Sequence, residues 1–259
     1  MPKITVYVIA YNEADKVEAA LQSVTWADEI IVADSHSTDG TTEIAQRYTD
    51  RVIHFDFDGF GKLRNDAIAH ASHDWIFSLD ADERCTPEAR DEILATIANP
   101  NAADAYLMPR RNWFMGRWIR YSGWVPNYRQ PQLFRKGKMR YTLERVHEGF
   151  ILDGKLAELR QSIWQQPFRD LGQTLHKMDR YSTLGADKLE ERGKRGSMFT
   201  ALLHGVWAFL RLYVIRLGFL DGWAGFVIAL GNFEGTFYRY AKLTERQHDW
   251  NTVKLDQRP

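Results

Sequence analysis

The chain has 259 residues and balanced charge, with 34 Lys plus Arg against 34 Asp plus Glu. Hydrophobic content of 44% and charged content of 26% are ordinary for a globular protein, with room for one large domain or one domain and an appendage. The single Cys85 excludes an intramolecular disulfide framework and fits a reducing compartment. The N-terminal run is strand-like and lacks the separate apolar core and cleavage site of a signal peptide, so no leader is expected.

Ile4-Thr5-Val6-Tyr7-Val8-Ile9-Ala10-Tyr11-Asn12-Glu13 reads as a buried strand that runs into a polar stop. Asn12 is expected to cap a helix starting near Glu13, because Val17, Ala20, Leu21 and Val24 have helical spacing. Glu29 to Asp34 reads as a second strand. After it come the turn formers and small hydroxyls of Ser35-His36-Ser37-Thr38-Asp39-Gly40, then a helix from about Thr42 to Tyr48. A carboxylate at a strand end suits ribose hydroxyls or a base edge; taken singly, Asp34 equally well caps its loop. Arg51 to Phe55 is a third strand, and Lys62 to Ser72 a helix carrying Lys62, Arg64 and Asn65. The fourth strand ends at Asp80. Strict β-α alternation between residues 4 and 80 predicts a parallel sheet with helices on both faces and a ligand site beyond the strands' carboxyl ends.

Asp80-Ala81-Asp82 lies at that rim. Two carboxylates one residue apart form a small oxygen-donor site suited to Mg²⁺ or Mn²⁺ that also holds a diphosphate. Asp-x-Asp is common in turns, so its weight comes from Asn12, Asp34 and Asp82 falling on one rim.

Ala10-Tyr11-Asn12-Glu13, Asp34-Ser35-His36-Ser37-Thr38-Asp39-Gly40-Thr41 and Asp80-Ala81-Asp82-Glu83 resemble the three N-terminal motifs of family 2 inverting glycosyltransferases of GT-A fold. The resemblance covers residues 1–150. It implies that Ala10, Asn12, Glu13 and Asp34 line a uridine pocket, and that Lys62 and Arg64 approach the donor near its diphosphate. Asp80, with Ala81 beside it, touches the ribose or donor sugar, and Asp82 binds the metal. Inversion by direct displacement requires a base for the acceptor hydroxyl. Arg145-Val146-His147-Glu148-Gly149 resembles the Val-His-Glu motif of the bacterial lipopolysaccharide core β-glucosyltransferase subgroup, and Gln130, Gln132, Leu133, Phe134 and Arg135 resemble the segment before it. Glu148 is the expected base, ahead of Glu144 and Asp104, and His147 assists the metal or the diphosphate.

From Arg110 to Arg145 there are ten Lys or Arg and one acid, Glu144, interleaved with Trp113, Phe114, Trp118, Tyr121, Trp124 and Tyr128. No nucleic-acid motif accompanies them, so a phosphorylated glycan acceptor is expected and nucleic acid is not. Leu152 to Lys188 is the least readable region; Trp164, Phe168, His176 and Tyr181 are candidates for a pocket wall. Ser197 to Gly231 is strongly apolar but broken by Arg211, Arg216 and Asp221. Flanking cations and Trp207 and Trp223 point to helices lying in a headgroup layer, with a break near Asp221 at Gly218, Gly222 and Gly225. A helical hairpin packed on the catalytic domain and a dimer interface are the alternatives.

The expected fold is α/β: a GT-A (Rossmann-like), mostly parallel sheet flanked by helices, with a C-terminal helical membrane-associated extension. Residues 1–190 form the glycosyltransferase domain (1–100 the nucleotide-sugar half, 101–190 the acceptor half), and 191–259 the extension. The expected activity is metal-dependent, inverting transfer of a sugar, by resemblance glucose, from a UDP-sugar to a membrane glycolipid such as lipopolysaccharide inner-core heptose. It would occur at the cytoplasmic, anionic face of the bacterial inner membrane. The alternatives are a polyprenyl-phosphate acceptor and a non-catalytic membrane-surface scaffold.

Overall fold

The computed structural model describes residues 2–125, 130–143, 149–248 and 250. Its first part alternates as expected: β1 (Ile4–Ala10), α1 (Val17–Gln22), β2 (Glu29–Asp34), α2 (Thr41–Ala45), β3 (Val52–His54), α3 (Phe60–His70) and β4 (Trp75–Asp80). All seven residues of β1 are buried. Their alternation assigns Val6 and Val8 to one face of the sheet, with Val17, Ala20 and Leu21 of α1. Tyr7 and Ile9 enter the other face, with Leu63, Ala67 and Ile68 of α3. Helices on both faces follow from this double burial.

Then come β5 (Glu83–Arg84), α4 (Pro87–Ala98), β6 (Ala105–Leu107), β7 (Arg110–Phe114), β8 (Arg117–Trp118), β9 (Pro131–Arg135), β10 (Met139–Tyr141), β11 (Phe150–Leu152), β12 (Leu156–Glu158) and β13 (Ile163–Gln165). The main sheet has the order β12-β6-β9-β4-β1-β2-β3. It is mostly parallel; β9 alone runs against its neighbours β4 and β6. Ala10 pairs with Asp34, and Ile9 with Asp80, so β1, β2 and β4 end at the same level.

The opposite end of the strands is tied by one carboxylate. Glu29 accepts hydrogen bonds from Thr5 Oγ1 (2.6 Å), Ser72 N (2.8 Å) and Ser72 Oγ (2.7 Å), and pairs with Arg51. These partners stand beside β1, β3 and β4. Burial alone would raise the Glu29 pKa. The hydrogen bonds and the Arg51 charge outweigh it and bring the carboxyl from its ordinary 4.5 to about 2.

By contacts the chain divides into two compact units, Met1–Asn112 with Pro126–Gln166, and Trp113–Val125 with Pro167–Pro259. This division falls elsewhere than the expected 190/191, because α5 (Leu171–Glu191) packs with the later helices and 113–125 joins them. The second unit continues with α6 (Met198–Leu210), a π-helical turn over Arg211–Ile215, a 3₁₀ turn over Gly218–Asp221, and α7 (Gly222–Gln247). The break near Asp221 is therefore present. A Cβ on Gly225 would lie 1.8 Å from the Gly218 carbonyl oxygen, so only glycine permits this approach. Asp221 is buried and accepts hydrogen bonds from Arg120 N (3.1 Å), Tyr121 N (3.0 Å) and Ser122 Oγ (2.9 Å). Among the described residues, Met198–Ile215 is the one helical stretch long and apolar enough to cross a membrane, with mean hydropathy 1.6 and 22% of it buried.

The low Glu29 pKa makes a pH prediction. A depressed carboxyl stabilises the fold fully above its unfolded pKa, and this stability is lost as pH falls through the folded value. Denaturant titrations of the wild type should therefore show stability falling between pH 4.5 and about 2. Glu29→Gln should flatten that slope and lower the Tm at pH 7 by a few degrees.

Candidate active site

Two loops beyond β1 and β2 are stitched together. Asn12 has a left-handed backbone, φ +53°, a conformation that asparagine tolerates better than most residues. Its N–H donates to Ser37 Oγ (2.9 Å), and its Oδ1 accepts from Thr38 N (2.8 Å). Glu13 N donates to Thr41 Oγ1 (2.9 Å), and Ala14 N to Asp39 Oδ2 (3.1 Å). Asn12 thus does not cap a helix: α1 begins only at Val17, after a turn over residues 14–16. The side chain is used across the loops instead. Ala10 is buried, and Glu13 sits 3.2 Å from Lys16.

Asp34 differs from the expectation that it faces a ligand. It is fully buried, and its oxygens accept hydrogen bonds from Ser37 N (2.9 Å) and Thr42 Oγ1 (3.3 Å), with a short bond from Ser37 Oγ. Asp34 Oδ2 also lies 3.0 Å from His54 Nδ1. The side chain positions Ser37, which in turn holds Asn12.

Arg64 is likewise turned inward. It is 4% exposed, bonds Asp80 Oδ1 (2.7 Å) and Ser78 Oγ (3.0 Å), and lies over the Tyr141 ring. It acts as the counter-ion of Asp80 and is too enclosed to reach a diphosphate in this arrangement. Lys62 is exposed and paired with Asp66 at 2.6 Å. Ala81 is buried, and its N–H donates to Ile9 O (3.3 Å).

Three carboxylates fall within residues 80–83, and each has a different environment. Asp80 has Arg64. Glu83 is fully buried; it accepts from Arg110 Nε (2.5 Å), Gln132 Nε2 (3.0 Å) and Asp80 N (3.0 Å). Burial pushes Glu83 up, Arg110 pulls it back, and Asp80 adds to a net rise. Among the described residues, the Asp82 side chain accepts only long hydrogen bonds from Gln165 Nε2, at 3.3 and 3.4 Å. Burial first, then the charges of Asp80 and Glu83, push its carboxyl up to about 7 against the opposing charge of Lys16. Among the described residues, Asp82 is the carboxylate in this group without an ion pair.

That imbalance fits a divalent cation. Its charge would offset what Arg64 and Arg110 leave uncompensated, and the donors are hard oxygens. Among the described residues no set of three His, Cys, Asp or Glu side chains is arranged to hold a metal alone. A Mg²⁺-type site that takes one or two carboxylates and completes its shell from phosphate oxygens has that character.

His147 and Glu148 lie outside the described residues. Thr142 and Gly149, which flank 144–148, are tied by Thr142 N to Gly149 O (3.0 Å) and Gly149 N to Thr142 Oγ1 (2.8 Å). Asn65 clamps Tyr141 just before them, donating to its carbonyl and accepting from its N–H, both at 2.9 Å.

The basic stretch proves divided. Arg110 belongs to the buried pair with Glu83. Arg135 stacks on Trp75, at the start of β4, and Lys136 Nζ donates to Ala71 O (2.6 Å); both stand at the end of the strands opposite Asp82. Glu83, Arg110 and Gln132 stood in stretches singled out from the sequence but without the partners they have here, and Gln165 was not anticipated. Glu83 stood in the quoted motif, and Arg110 was hidden among the other basic residues. Gln165 carried no signal, because β13 reaches Asp82 only through the fold.

The model of glycosyl transferase family 2 matches residues 5–158. The lipopolysaccharide core biosynthesis glycosyltransferase LpsC of Rhizobium meliloti (strain 1021) is 30% identical over 95% of this chain and 94% of its own. The chain belongs to glycosyl transferase family 2. An uncharacterized glycosyltransferase of Rickettsia felis is 29% identical over 95% of this chain and 90% of that protein. The crystal structure of S. aureus TarS 1-349 aligns with a TM-score of 0.50 and 15% identity, covering 97% of this chain and 93% of that one. The glycosyltransferase fold is accordingly of GT-A type, with a helical C-terminal region.

Neighbouring carboxylates in this site should respond oppositely to neutralisation. Glu83→Gln leaves the buried Arg110 uncompensated and should destabilise the protein by about 3–5 kcal/mol in urea unfolding. Asp82→Asn removes a carboxylate whose ionisation the fold disfavours. Without added metal, its Tm at pH 8 should equal or exceed that of the wild type.

Proposed function

We propose that this glycosyltransferase moves a sugar, glucose in the most specific version, from a UDP-sugar to a hydroxyl of a membrane glycolipid, with inversion. A heptose of a lipopolysaccharide inner core is the acceptor favoured by the 30% identity to LpsC. The observation that carries the reading is Asp82: a carboxylate without an ion pair among the described residues, beside two that have one, at the carboxyl end of β4.

In this reading the partly exposed Asn12 and Glu13 and the Ala10 backbone line the uridine pocket, and Asp34 supports it from beneath. Asp80, fixed by Arg64, faces the ribose or donor sugar with Ala81 beside it, and Lys62 lies near the diphosphate. Asp82 and His147 are the residues that would hold a Mg²⁺ or Mn²⁺ ion, and such an ion would supply Lewis-acid stabilisation of the leaving diphosphate. The acceptor oxygen bonds to the anomeric carbon as the bond from that carbon to the diphosphate oxygen breaks. Glu148 takes the acceptor proton. Surface cations and aromatic rings orient a phosphorylated acceptor, which makes positioning part of the catalysis.

Exposed Phe199, Trp207, Ile215 and Trp223, with Arg211 and Arg216 between them, support a peripheral location on an anionic, cytoplasmic membrane face. The packing of α6 against α7 supports a helical hairpin as the element that carries this face.

The test is transfer with purified protein, a panel of UDP-sugars, Mg²⁺ or Mn²⁺, and heptose-terminated lipopolysaccharide. Asp82→Ala should abolish metal-dependent transfer and the Tm rise produced by UDP with Mn²⁺. Glu148→Gln should lower kcat by about 10²–10⁴-fold. A Glu148→Gln enzyme that keeps most of its activity would point to an acceptor that is already anionic, such as polyprenyl phosphate.

A further inference from the structure

The second unit holds an apolar cavity of about 260 Å³ that the transfer chemistry does not use. One wall is a cluster of three rings, Phe114, Trp124 and Phe168, with centroids 5.7 to 6.4 Å apart. Val227 and Ile228 of α7 line it as well. They continue into the cavity the apolar surface that the same helix exposes at Trp223 and Leu230. The volume lies just below the range of about 300–1,000 Å³ for drug-sized ligands, and an apolar wall offers a sugar few hydrogen bonds. A single alkyl chain matches both the size and the chemistry.

Glycine keeps the space open. Gly231 lines the cavity, and a Cβ there would meet no atom within 4 Å. Gly231 therefore makes no close helix contact, although glycine inside a helix costs about 0.5–1 kcal/mol relative to alanine. The charge at the lining has one sign. Lys177 and Arg239 are its ionic side chains, and none of the described lining residues is acidic. Arg239 is seated against α5 where Gly185 has no side chain; a Cβ there would lie 2.5 Å from Arg239 Nε. Lys177 Nζ donates to Pro167 O (3.1 Å) and lies 4.9 Å from the centroid of the Phe168 ring. Tyr181, 63% exposed, adds an amphipathic ring of the kind enriched at membrane interfaces.

We propose that this cavity takes one acyl chain of an anionic phospholipid, its phosphate against Arg239 and Lys177, and so pins the protein to the membrane surface. This rests on the membrane-surface reading above. The anchor would act through buried chain length as well as surface charge, so that binding tightens with each enclosed methylene.

The test uses the full chain and two assays. Calorimetric titration with lauroyl lysophosphatidylglycerol, below its micelle concentration, should show one saturable site and weaker binding of lauroyl lysophosphatidylcholine. Gly231→Leu fills the cavity from a position with free space and replaces glycine with a better helix former, so its Tm should not fall. It should weaken lysophospholipid binding at least about tenfold. Arg239→Gln, at an exposed position, should abolish the preference for the anionic headgroup. Both variants should bind UDP as the wild type does. Co-sedimentation with phosphatidylglycerol vesicles is the second assay. Wild-type protein that ignores the vesicles overturns the membrane-surface reading and the proposal with it. Vesicle binding by the wild type, combined with equal lysophospholipid affinity in the wild type and Gly231→Leu, overturns the cavity proposal alone.

Discussion

Crowding of negative charge at the end of β4 is the constraint on which the site depends. Asp80, Asp82 and Glu83 share a small, partly buried volume, where like charges repel more than in water. The fold answers with two guanidinium groups from different elements, Arg64 of α3 and Arg110 of β7. Each is nearly fully buried and each serves one carboxylate. Among the described residues Asp82 has no such ion-pair partner, and burial first, then the charges of Asp80 and Glu83, push its carboxyl up to about 7. Stability alone would favour removing a carboxylate in this position. Its presence accords with a site held ready for a cation, where stability is given up for function.

The sheet keeps that arrangement in register from both ends. At one edge Glu29 gathers Thr5, Arg51 and Ser72. At the other, hydrogen bonds linking Asn12 with Ser37 and Thr38, and Glu13 with Thr41, join the loops after β1 and β2. Asp34 acts behind that stitch. Groups on rigid strands with a supporting second layer hold their geometry better than groups on free loops. Gln132 and Gln165 play the same supporting part for Glu83 and Asp82.

Much of the first unit was legible because its signals are local. β1, β2 and β4 are runs of β-branched and aromatic residues that stop at polar residues, and the rim on which Asn12 and Asp82 fall follows from β-α alternation. The directions of charged side chains were not legible. Position on α3 does not tell that Arg64 turns inward to Asp80, nor does the end of β2 tell that Asp34 is wholly occupied by its own loop. These choices depend on which buried charges find partners, a property of the packed molecule. The antiparallel insertion of β9 and the approach of β13 to Asp82 are long-range pairings with no local mark. In the second unit the glycines foretold the break at Asp221. The capture of residues 120–122 by that carboxylate was invisible, because its partners lie about a hundred residues away.

The central claim is that Asp82 is the metal-binding carboxylate of a UDP-sugar site on the β1–β2–β4 rim. A crystal structure of the Mn²⁺–UDP complex, with anomalous scattering recorded at the manganese edge, tests it most directly. A manganese peak is expected within coordination distance of Asp82 and of the diphosphate, with uridine against the Asn12 and Ser37–Thr38 loops. A manganese ion bound elsewhere, or UDP seated away from this rim with Asp82 free of metal, would contradict it.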